Sequence, residues 1–215
     1  MAIRRNSKGV TAMRCMLNVS SVLAWVIKPL FFPFFAYLCL FTCTYLHVMH
    51  VTYKLTTLGI VFVYTLLLPQ LGIWVVRKAK GWSVARLAQR ESRFLPYIIT
   101  TLCYSVCYYT MYRMHFPRCI SGIIMSCLVC MVLCAIINIR WKISTHVASC
   151  GLMVGGLLSL SFIFNFNPVY WLCGFIFLSG MLGTARMIVR QHTVMEIGWG
   201  FVIGVMCGIA GILFI

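Results

Sequence analysis

Few residues in this chain can do chemistry, and they cluster at two points. Arg186-x5-His192-x3-Glu196 lies at the junction of two apolar runs, and Ser144-Thr145-His146 lies where another apolar run begins. The chain has no Asp, and its only acidic side chains are Glu91 and Glu196. If a helix starts near His192, i,i+4 spacing sets Glu196 one turn below the imidazole on the same face. A carboxylate there accepts the proton of one ring nitrogen, fixes the tautomer and makes the other nitrogen a better nucleophile. Arg186, at the end of the preceding run, can present its fork to a phosphate. Ser144 and Thr145 at a helix start either cap the helix or offer hydroxyl and N–H groups to an anion. A carboxylate at the edge of a bilayer helix is costly, so function is the default reading for Glu196.

The elements that must position these groups follow from composition. Of 215 residues, 62% are hydrophobic and 9% charged, with a mean hydropathy of +0.99. Soluble domains carry about 25% charged residues, so a water-soluble globular domain is excluded. At about 20 residues per crossing, the length allows six or seven spans and no large extramembrane domain. The expected fold is an all-α polytopic membrane bundle over residues 30–215. Apolar runs predict spans near 30–49, 55–76, 94–113, 119–139, 147–166, 169–189 and 196–215. A basic segment, 1–29, precedes them. Its stretch 16–27 is too short to cross and reads as an interfacial helix. No cleavable signal peptide is evident. Pro33 and Pro69 read as tolerated kinks.

Charge is lopsided, with 18 Lys and Arg against two acidic residues. With seven spans, fifteen of these cations fall on the side of the N-terminus and of the loops holding His146 and His192; Lys54, Arg113 and Arg118 fall opposite. The positive-inside rule makes the basic side cytoplasmic and explains most of the cations as topology, so no nucleic-acid partner is called for. The expected location is a multi-pass position in a bacterial inner membrane. Most of the twelve Cys sit within apolar runs, where a thiol acts as a small hydrophobe; Cys127-x2-Cys130 reads as packing and not as a metal site. Gly151-x3-Gly155-Gly156 and Gly200-x3-Gly204-x3-Gly208 permit close approach of the helices that carry His146 and His192.

The two site motifs resemble signatures of the type 2 phosphatidic acid phosphatase superfamily. Arg186-x5-His192-x3-Glu196 is similar to its third signature, S-R-x5-H-x3-D, with Ala185 in place of Ser and Glu196 in place of Asp. Ser144-Thr145-His146 is similar to its second, P-S-G-H, with Ile143 for Pro and Thr145 for Gly. The first, K-x6-R-P, has its nearest counterpart in Arg86-x6-Arg93, with the Pro displaced to Pro96. The resemblance covers roughly residues 140–215 and implies a membrane phosphatase acting on a lipid phosphate or prenyl pyrophosphate. It implies that His192 attacks phosphorus to form a phosphohistidine, that Glu196 orients it, and that His146 protonates the leaving oxygen and then activates water. Arg186, Ser144 and Thr145, with Lys142, Arg86 or Arg93, would hold the phosphate oxygens. No cofactor or metal is implied, in keeping with a chain whose two Glu cannot build a two-metal site. The rival expectation is a decayed member that binds or moves an anionic lipid. Oligomeric state is left open.

Overall fold

The computed structural model describes residues 29–81, 94–189 and 191–213. The expected interfacial helix at 16–27, and Arg86, Glu91 and Arg93 with it, lie outside the described residues. Among the described residues every regular element is helical: α1 (Phe32–Cys43), α2 (Val51–Val61), α3 (Leu68–Lys80), α4 (Phe94–Arg113), α5 (Arg118–Arg140), α6 (Thr145–Phe164), α7 (Val169–Ile188) and α8 (Val194–Leu213), with short 3-10 turns at Pro29–Phe31 and Tyr45–Val48. The chain is a polytopic membrane bundle, with five stretches among the described residues long and apolar enough to cross a bilayer: Val51–Ala79 and the helices α5 to α8.

Two of the seven expected spans depart from that description. The run 30–49 contains only the twelve-residue α1, about 18 Å at 1.5 Å per residue, against a hydrocarbon core of about 30 Å. It stops because the Thr44 hydroxyl donates to Leu40 O at 2.6 Å and accepts from Leu46 N at 3.3 Å, turning the chain into the 3-10 segment. Helix α4 has twenty residues, enough length, but nine of them are Ser, Thr or Tyr, and it falls short in hydropathy. The run 55–76 becomes α2 and α3 joined through a π-helical turn, Phe62–Leu67. Pro69 has no N–H for the ladder and its ring crowds the carbonyl four residues back. The turn widens there so that Leu68 N reaches Val63 O, while the Thr65 hydroxyl donates to Val61 O at 2.8 Å.

Helices α6 and α8 form the tightest pair. A Cβ on Gly204 would overlap Ala148 O, one on Gly155 would overlap Val205 O, and one on Gly151 would overlap Phe201 O. The glycines expected to allow close approach therefore do so, and the backbones carrying His146 and His192 meet with no side chain between them. Each of these helices begins at the same end of the bundle. Helices α4 and α5 form an antiparallel hairpin beside them, so the start of α4 and the end of α5 lie at that end too. Beneath it, Tyr104, Cys127, Cys130, Cys134, Ala148, Leu152 and Cys207 pack as one buried cluster, the packing role expected of the thiols.

Candidate functional site

The start of α8 sets the first half of the site. Thr193 N donates to Glu196 Oε2 at 3.1 Å and Glu196 N donates to Thr193 Oγ1 at 3.4 Å. This reciprocal pair is a capping box, satisfying two of the helix's orphan donors. The same carboxylate oxygen lies 3.1 Å from His192 Nδ1, with side-chain exposures of 11% and 15% for the two residues. Nδ1 thus carries the proton toward Glu196, and Nε2 is the nitrogen left for chemistry. Burial pushes the His192 pKa below the ordinary imidazole value; the bond to Glu196 works against this, while the Lys142 and Arg186 cations add to it. Burial and the neighbouring cations thus favour the neutral ring, the form that can act as a nucleophile.

The end of α7 supplies the second half. Gln191 N donates to Arg186 O at 3.1 Å, closing the turn out of the helix. The Arg186 guanidinium donates through Nη1 to Gln191 Oε1 and through Nη2 to the edge of the His146 ring, 2.5 Å from Nε2 and 2.9 Å from Nδ1. A guanidinium has five N–H donors and no acceptor, so the imidazole nitrogen facing it accepts. Two donors are spent on these contacts. Arg186 Nε is enclosed without a partner among the described residues. Lys142 Nζ donates to Gln191 O, tying the α5–α6 loop to the α7–α8 loop.

Lys142, Thr145, His146, Arg186, Gln191 and His192 line one cavity of about 390 Å³ at this end of the bundle. The remaining expected residues are placed otherwise. Glu196 stands behind His192. Ser144 is 0% exposed, does not line the cavity, and its hydroxyl neither caps α6 nor finds another partner among the described residues. Of the two readings the sequence offered for that hydroxyl, cap and anion ligand, the cap is not formed. Six residues of this region were not singled out from the sequence as site residues. Thr193 was legible, since Thr-x-x-Glu before an apolar run signals a capping box. Asn138, a lone amide at the end of an apolar run, was a weaker signal. Gln191 and the face of α4 carrying Tyr97, Thr100 and Tyr104 gave none, because their roles depend on which helices meet. No protein-family model, curated protein or solved structure matches the chain.

Proposed function

We propose that this cavity is the active site of an integral membrane phosphatase that hydrolyses a lipid phosphate through a phosphohistidine on His192. The reading is supported chiefly by one observation: an imidazole with a carboxylate on Nδ1 shares a cavity with a second His and two cations. The likeness of Arg186-x5-His192-x3-Glu196 and Ser144-Thr145-His146 to the superfamily signatures supports it independently. In the first step the arriving phosphate monoester monoanion passes its proton to His146, His192 Nε2 attacks phosphorus, and the P–O bond breaks with its electron pair going to the lipid oxygen, which takes the proton from the His146 imidazolium. Positive charge develops on the His192 ring and is stabilised by Glu196. In the second step His146 takes a proton from water, water attacks phosphorus, and the P–N bond breaks to restore neutral His192. Arg186 links substrate to His146: an arriving phosphate competes for the guanidinium and frees the imidazole for proton transfer. Lys142 and Arg186 offset the charge on the transferring oxygens.

The membrane face follows from charge. Among the described residues, Arg77, Lys78, Lys80, Arg140, Lys142 and Arg186 belong to the site's end of the bundle, against Lys54, Arg113 and Arg118 at the other. The site therefore faces the cytoplasm. A second reading, binding or movement of an anionic lipid without turnover, is favoured by the enclosure of Ser144 and by the prior engagement of Arg186. Phosphate release by the purified protein from phosphatidate and from prenyl pyrophosphates, with EDTA present, separates the two. Release that His192→Ala abolishes supports hydrolysis, whereas saturable lipid binding with no release supports the second reading.

A further inference from the structure

Below its charged mouth the cavity continues along the α4–α5 hairpin. Tyr97 and Asn138 line it near the helix ends, Thr100 next, and Tyr104 opposite Met131 at the greatest depth, with Leu30 and Ile73 giving an apolar wall. Tyr104 is ten residues from the start of α4, so the cavity runs about 15 Å inward at 1.5 Å per residue. That is about half the thickness of the hydrocarbon core. A cavity that is charged at one end and apolar at the other fits an amphiphile.

Two of the polar groups along the way, Asn138 and Tyr104, are not accounted for by the fold. Asn138 is 8% exposed and Tyr104 2% exposed, and both line the cavity without a side-chain hydrogen bond to another described residue. Thr100 spends its proton on Pro96 O at 2.7 Å, leaving its lone pairs. Buried amides and phenols are costly when left unpaired. Their availability on the wall of a cavity points to a ligand group that pairs with them. Asn138 can both donate and accept, and Tyr104 can donate, a combination that suits an ester or amide carbonyl or a hydroxyl. Resting on the phosphatase reading, we propose that Asn138 and Tyr104 form a second binding tier for an oxygen in the linker between phosphate and hydrocarbon. This tier selects glycerol- or amino-alcohol-based lipid phosphates over prenyl phosphates. A prenyl chain carries no hydrogen-bonding atom beyond its phosphate ester and would leave both groups buried and unpaired.

The test uses the full chain in nanodiscs, with dioleoyl phosphatidate, sphingosine 1-phosphate and farnesyl phosphate as probes. Both kcat/KM for phosphate release and equilibrium binding are measured, binding on the His192→Ala variant so that turnover does not interfere. The expected result is a preference of about tenfold or more for at least one linker-bearing lipid over farnesyl phosphate. Tyr104→Phe and Asn138→Leu, both close in shape to the native side chains, should each lower that preference by about three- to tenfold, the value of one hydrogen bond. Which of the ester and amino-alcohol lipids loses more identifies the linker. Equal kcat/KM for all three lipids, or a preference untouched by both variants, overturns the second tier and leaves the phosphatase reading standing. A binding preference that the variants lower, without any phosphate release, supports the tier and removes the phosphatase reading. Absence of both preference and release overturns both.

Discussion

Replacing Glu196 by Gln separates the two jobs this carboxylate does. Gln serves at the third position of a capping box nearly as well as Glu, so α8 should keep its N-terminus and lose only the interaction of a negative charge with the helix dipole, about 0.3–1 kcal/mol. The catalytic effect should be larger. A unit charge 3.1 Å from the His192 ring is worth about 5 kcal/mol at an effective dielectric near 20. Only part of the ring's positive charge develops in the transition state, and the Gln amide oxygen still accepts from Nδ1. A loss of about 10²-fold in kcat, near 3 kcal/mol, is therefore expected, within the range of general-base and orientation effects. The pH profile carries a second signature. Because Glu196 raises the His192 pKa against the effect of burial, removing its charge moves the acid limb to lower pH while the plateau falls. Glu196→Ala, which breaks the capping box too, should lose a further 0.5–2 kcal/mol of stability. Phosphate release across a pH series, with unfolding in mixed micelles as the stability control, reads both. Activity of Glu196→Gln within about threefold of wild type, with an unmoved acid limb, would refute the assignment of Glu196 to His192 chemistry and leave it as a cap.

Other expectations follow from the same geometry. His192→Ala should remove turnover without unfolding the bundle, since the residue precedes α8 and lies outside the apolar core; comparable phosphate release by the variant refutes its role. Lys142→Gln removes a cation that lowers the His192 pKa, so the acid limb of kcat/KM should move to higher pH, and a downward shift contradicts the electrostatics. Gly204→Ala, whose Cβ would overlap Ala148 O, should destabilise the α6–α8 pair by about 1–3 kcal/mol, whereas Gly174→Ala, with nothing near its Cβ, should not; equal unfolding midpoints refute the close packing. A Cys at Gln191 in a Cys-depleted variant should resist a membrane-impermeant maleimide until the cells are lysed, and labelling of intact cells overturns the cytoplasmic assignment.

Much of the site was legible because its groups are local. His192 and Glu196 share a turn, and Thr-x-x-Glu marks the helix start that brings them together, so spacing alone gives the 3.1 Å pair. Arg186 and His146 are forty residues apart, and no periodicity predicts that one donates to the other. Their meeting requires the α6–α8 glycine contact and the particular turn closed by Gln191. Helix positions were legible for α5 to α8, where apolar runs are bounded by Arg, Pro or Asn. Extent failed at α1, because the hydroxyl of Thr44 ends the helix inside an apolar run that hydropathy counts as continuous. The placement of Ser144 was not legible either: a residue before an apolar helix can face solvent, cap or core, and the approach of Gly200 to Ser144 O encloses it.

The account's central claim is a covalent bond between phosphorus and His192 Nε2. Rapid quenching of the purified protein at alkaline pH after mixing with lipid phosphate labelled at phosphorus, followed by peptide mapping, tests it most directly. The account predicts an acid-labile, base-stable phosphoryl group on the peptide containing His192, formed and lost at rates matching turnover, and absent from His192→Ala. Steady phosphate release with no labelled peptide, or a label that persists in His192→Ala, would contradict it.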